Sequence, residues 1–102
     1  MILYIAGPMS GLPDYNRPAF FDAAARLRDF GFTTINPARH EQRNDLDWGD
    51  YMRLGISDVL AAHGLAVLPG WECSRGARLE VEVAHALRLP VLPVERWIEA
   101  VA

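Results

Sequence analysis

The sequence predicts an α/β protein: a single-domain, three-layer sandwich on a flavodoxin- or Rossmann-like parallel sheet of four to five strands. Three observations carry that expectation. Short apolar runs alternate with longer amphipathic stretches along the whole chain, and strand alternating with helix implies right-handed βαβ units. The 102 residues hold no internal repeat, linker or low-complexity segment, which makes residues 1–102 one domain. The composition, 51% hydrophobic and 23% charged, is that of an ordinary globular chain.

Each element has a local reason. Ile2 to Ala6 reads as a buried strand, and Gly7 to Asp14 as a loop by its glycine and proline chemistry. Pro18 suits a first helical turn, and Ala19 to Phe30 places Phe20, Ala23, Ala24 and Leu27 on one face, with Gly31 as the stop. Thr33 to Ile35 is a short strand, followed by a polar segment from Asn36 to Asp47. Asp47 can cap a second helix over Trp48 to Ala62. Leu65 to Leu68 is the third strand, and Ser74 caps a third helix running to Arg88. Val91 to Pro93 and Glu95 to Val101 give a last strand and a last helix. In such sheets ligands bind beyond the carboxyl ends of the strands. That points to the loops at Gly7 to Arg17, Asn36 to Asp47 and Pro69 to Gly76.

Composition excludes several classes. The formal net charge of -3 argues against a dedicated nucleic-acid binder. All ten basic residues are Arg, so a Schiff-base lysine and a P-loop lysine are absent. The three histidines lie far apart and Cys73 is a single cysteine, so neither a zinc site nor an internal disulfide is expected. No apolar run is long enough to span a membrane, and the first residues make a poor signal peptide. The expected address is the cytoplasm.

One residue breaks the pattern. On a helical wheel the third helix gathers Leu79, Val83, Leu87, Ala84, Ala77 and Val81 on one broad arc, and Glu80 falls inside it. A carboxylate there is costly without partners. It lies in the first turns of the helix, where the dipole favours an anion, and near the expected crevice. An ionised Glu80 is a nucleophile and a protonated one a general acid; a structural acid paired with an arginine is the alternative. Glu82 belongs to the solvated face. Ser74, Arg75 and Gly76 open the same helix as an anion-friendly cap. The loop after the first strand is not GxGxxG, so a dinucleotide fingerprint is absent. His63 reads as a cation capping the second helix. Trp48, Tyr51, Trp71 and Trp97 read as core or interface residues, with Trp71 retained as a residue that can stack a base.

Tyr4-Ile5-Ala6-Gly7-Pro8-Met9-Ser10-Gly11 resembles the first strand and loop of the nucleoside 2-deoxyribosyltransferase-like superfamily, and Gly76-Ala77-Arg78-Leu79-Glu80-Val81 resembles its helix bearing the nucleophilic glutamate. More narrowly, the YIAGPM start and the block from Pro69 to Glu80 resemble a family of small bacterial and phage proteins, DUF4406-like, over nearly the whole chain. The resemblance implies attack of a glutamate, here Glu80, on C1′ of a nucleoside or nucleotide. It implies that Tyr4 lies beside the nucleophile. Ser74 followed by Gly76 matches the 5′-monophosphate hydrolases rather than the nucleoside transferases, which carry an acid at the first position. The superfamily's aspartate on the preceding helix would fall at Gly55; Asp58, one turn on, or Asp50 would have to replace it. The phosphate-binding loop arginine of the hydrolases corresponds to Ser10, leaving Arg17, Arg75 or Arg78 for that role.

The expected function is therefore an N-glycosidase or deoxyribosyltransferase acting on a nucleoside 5′-monophosphate or nucleoside. Glu80, Tyr4 and Asp58 are its catalytic candidates. Gly7, Pro8, Met9, Ser10, Trp71, Ser74, Arg75 and Gly76 are its substrate-binding candidates. No cofactor or metal is expected. A non-catalytic nucleotide-binding module is the alternative, and hydrolysis of a nicotinamide nucleotide a third reading. The resembling enzymes are homo-oligomers, and a homodimer through the second helix, using Tyr51 and Leu54, is expected.

Overall fold

The computed structural model describes residues 1–40 and 45–102. Among them four strands form one parallel sheet in the order β2-β1-β3-β4: β1 (Ile2–Ala6), β2 (Thr33–Ile35), β3 (Gly64–Val67) and β4 (Val91–Pro93). The helices are α1 (Arg17–Asp29), α2 (Trp48–Leu60), α3 (Arg75–Ala86) and α4 (Val94–Val101). This is the predicted sandwich. No helix among the described residues is long and apolar enough to cross a membrane.

Alternation along β1 sets the two layers. Leu3 and Ile5 point to one face and pack with Phe20, Ala23 and Leu27 of α1 and Val94 and Trp97 of α4. Tyr4 and Ala6 point to the other and pack with Val59, Val81 and Ala84 of α2 and α3. Tyr4 pairs with Leu65 across the β1–β3 ladder, so its side chain leaves the sheet at its centre. The face predicted for α1 is the buried one: Phe20, Ala23, Ala24 and Leu27.

Several boundaries move by one or two residues, each for a hydrogen-bonding reason. α2 stops at Leu60 because the His63 N–H donates to the Ile2 carbonyl at 2.8 Å, drawing the chain into the sheet. His63 consequently does not cap α2: its Nδ1 accepts a hydrogen bond from the Ile2 N–H at 2.8 Å. α3 ends at Ala86 rather than Arg88, because Arg88 takes a left-handed φ of 59° and lets the Leu89 N–H reach the Ala84 carbonyl. The two predicted caps are present. Asp47 and Asp50 form a reciprocal capping box on α2, and Ser74 Oγ accepts from the Ala77 N–H of α3 at 3.2 Å. Residues 41–44 of the expected polar segment lie outside the described residues.

Candidate active site

The loops after β1, β2 and β3 converge, with the facing sides of α2 and α3, on a cleft of about 410 Å³. That is an ordinary small-molecule volume. It lies at the carboxyl ends of the strands, beside the point where the chain leaves β1 for β2 on one side and β3 lies on the other. Tyr4, Gly7, Pro8, Met9 and Ser10 line it from the first strand and its loop. Ser74, Arg75, Gly76 and Glu80 line it from α3 and its cap, and Asp58 from α2.

The inner wall holds the chemistry. Glu80 is only 7% exposed, in the first turns of α3. The Tyr4 hydroxyl donates to its Oε2 at 2.6 Å. Burial pushes the Glu80 carboxyl up from 4.5 to about 7; the Tyr4 hydrogen bond opposes that rise and the nearby Asp58 carboxylate adds to it. Tyr4 is held well above the usual phenol range, by its own burial first and by the Glu80 charge second. Tyr4 is therefore a fixed proton donor in the hydrogen bond, and Glu80 is the group that changes charge near neutrality.

Gly55 makes this arrangement fit. A Cβ at Gly55 would collide with Glu80 Oε2 and sit 3.2 Å from the Tyr4 hydroxyl. The space that a side chain at Gly55 would take is thus occupied by the Glu80 carboxylate. Asp58 lines the same cleft, and its charge raises the Glu80 pKa.

At the other end of the cleft Ser74 caps α3, and the Arg75 guanidinium lies 3.9 Å above the centre of the Trp48 ring. A Cβ at Gly76 would come within 3.0 Å of Met52 Sδ on α2, and one at Gly7 would collide with Leu68. Both glycines serve helix and loop packing at the cleft wall. Among the described residues no group of His, Cys, Asp and Glu comes together in a way that could hold a metal ion.

The family described as "Domain of unknown function (DUF4406)" matches residues 1–93. The chain belongs to the DUF4406 family. The matched span runs from β1 through β4, so it contains Tyr4, Gly55, Asp58, Ser74 and Glu80. No curated protein matches the chain.

Three sequence expectations are corrected in this DUF4406 chain. Trp71 does not line the cleft; it packs against the β1–β3–α3 core and faces a separate depression around Leu68 and Pro93. The tryptophan that lines the cleft is instead Trp48, which the sequence assigned to core or interface. Asp50 is no alternative acid, because its carboxylate accepts from the Asp47 N–H at 3.0 Å within the capping box. Of the three candidate arginines, Arg75 lines the cleft, whereas Arg17 and Arg78 do not. Tyr15, His40 and Cys73 also line it. Their place at the ends of the crevice loops was the available signal.

Proposed function

We propose that this DUF4406 protein cleaves the N-glycosidic bond of a nucleoside 5′-monophosphate or nucleoside through Glu80. The observation that carries this reading is a carboxyl group buried in the inner wall of a ligand-sized cleft and held by the Tyr4 hydroxyl at 2.6 Å. A structural acid would be paired with an arginine; the hydrogen-bond partner of Glu80 is instead a neutral phenol.

The ionised Glu80 oxygen bonds to C1′ as the C1′–N bond breaks, and the bonding pair leaves with the base. Solvent supplies the proton taken up by the departing base, through water held at the Asp58 carboxylate. The Tyr4 hydroxyl keeps the carboxylate oriented. Water or a second base then attacks C1′, the glycosyl ester breaks, and Glu80 is released as a carboxylate. The proton lost by the attacking group leaves to solvent past the Asp58 carboxylate. Ser74, Arg75 and the N-terminus of α3 hold the phosphate, where the helix dipole and a guanidinium act together. Gly7, Pro8 and Met9 shape the wall against the sugar.

We place this activity in the cytoplasm, in a homodimer through α2 that uses Tyr51 and Leu54, which line the cleft, Leu54 being 44% exposed. Light scattering at micromolar concentration tests the assembly; a strict monomer rules it out. The activity is tested by chromatography of free base after incubation with ribo- and deoxynucleosides and their 5′-monophosphates, beside Glu80→Gln. Base release by the wild type and not by the variant supports the reading. Silence across the panel with ligand binding retained favours the second reading, a nucleotide-binding module, to which the absence of a carboxylate at Gly55 points.

A further inference from the structure

The turn between β1 and α1 holds three consecutive non-glycine residues in the left-handed region: Asp14, Tyr15 and Asn16, with φ of 50°, 52° and 59°. Asp and Asn tolerate that region; a tyrosine rarely adopts it. Such backbone persists only where its surroundings enforce it, and it concentrates where a side chain must be presented to a ligand. Two bonds enforce it here. Asn16 Nδ2 donates to the Pro8 carbonyl at 2.9 Å, and the Tyr15 N–H donates to the Leu12 carbonyl at 3.0 Å. The turn is thereby tied to the loop that forms one wall of the cleft.

What the turn presents is the Tyr15 ring, which lines the cleft while 45% exposed. The other aromatic residues there are differently committed. Tyr4 and Phe20 are buried in the walls, and Trp48 carries the Arg75 guanidinium on its ring. Tyr51 stands on α2 one turn from Trp48, against the same wall.

The phosphate and the base of a nucleotide leave the sugar from C4′ and C1′, on either side of the ring oxygen, and extend apart. With the phosphate at Ser74 and Arg75, the base needs an aromatic surface other than Trp48, whose ring already carries the Arg75 guanidinium. We infer that Tyr15 is the platform on which the substrate's base stacks, and that the left-handed turn holds it over the cleft. This assignment rests on reading the cleft as a nucleotide site.

The test compares two ligands that share the sugar phosphate and differ in the base. AMP and ribose 5-phosphate are titrated by calorimetry into Glu80→Gln protein, with Tyr15 intact, Tyr15→Ala and Tyr15→Phe. Loss of one stacked ring weakens AMP binding by about tenfold or more in Tyr15→Ala. Ribose 5-phosphate binding stays unchanged, and Tyr15→Phe binds AMP as the parent does. An equal loss for both ligands, no loss for AMP, or a loss in Tyr15→Phe as large as in Tyr15→Ala overturns the assignment of Tyr15. Binding of neither ligand by the protein with Tyr15 intact overturns the nucleotide reading itself, and the assignment with it.

Discussion

The Glu80 carboxylate on α3 lies in the volume that a side chain at Gly55 of α2 would fill. The two helices therefore meet at a glycine on one side and a carboxylate on the other. That contact keeps Glu80 buried while leaving it within reach of Tyr4, a residue 76 positions away in sequence. The catalytic candidate is thus positioned by its partner helix's lack of a side chain as much as by its hydrogen bond.

Gly55→Ala separates stability from activity. The added methyl meets the end of a flexible side chain, so Glu80 swings away and the fold survives. Alanine gains about 1 kcal/mol of helix propensity, and the broken Tyr4–Glu80 hydrogen bond costs about 1–3 kcal/mol. The net change in stability stays within about 2 kcal/mol. Turnover, by contrast, falls by about 100-fold, the effect of moving a reacting group by about 1 Å. Chemical denaturation beside steady-state kinetics checks the pair. Retained turnover in this variant would show that the Glu80–Gly55 contact does not set the reactive geometry.

The raised pKa of Glu80 gives stability a signed pH dependence. In the unfolded chain the carboxyl titrates near 4.5, and in the fold near 7. Between those values the native state binds the extra proton, so the contribution of this group to stability is full below 4.5 and is lost as pH rises through about 7. The gap corresponds to about 3 kcal/mol. Glu80→Gln removes the charge and keeps the shape. The variant is thus more stable than wild type at about pH 8, by up to about 3 kcal/mol, and nearly equal to it at about pH 4.5. Thermal melts of both proteins at the two pH values test this; a constant difference between them contradicts a buried, titrating Glu80.

Tyr4→Phe moves the same titration upward. The Tyr4 hydroxyl donates to the ionised carboxylate and holds its pKa down against burial. Without it Glu80 ionises at higher pH. If Glu80 reacts as the carboxylate, wild-type kcat/KM rises with pH through about 7, and the Tyr4→Phe limb lies at higher pH with a lower rate at neutrality. A limb that instead falls through this range assigns Glu80 as the general acid. A fall in rate with no displacement of the limb reduces Tyr4 to a packing role.

Features governed by local chemistry are legible in the chain. The buried face of α1, the caps at Asp47 and Ser74, and the inward position of Glu80 follow from helical period and hydrogen-bonding side chains alone. Features settled by packing between distant elements are not. Trp48 and Trp71 both precede or open helices; which of them meets the cleft depends on how α2 crosses α3, with Gly76 against Met52. His63 follows a helix and reads as its cap, until the start of β1 offers the Ile2 N–H. The left-handed turn at Asp14–Asn16 runs against the propensity of Tyr15, so no local rule announces it.

Arg75 tests the orientation of the ligand. Its guanidinium stacks on Trp48 at the cleft, and both residues are largely solvent-accessible, so the stack contributes at most about 1 kcal/mol to stability. Arg75→Ala therefore folds normally. Its effect falls on anions. Losing a charge-assisted bond to phosphate weakens a 5′-monophosphate by about 10- to 100-fold, while the matching nucleoside, with no phosphate to lose, binds as before. Arg75→Lys keeps the charge without the planar group and lands between the two. Trp48 reports the event directly, because a phosphate that draws the guanidinium off the indole changes its fluorescence on titration. Equal weakening of nucleoside and nucleotide would place Arg75 at the base or the sugar instead.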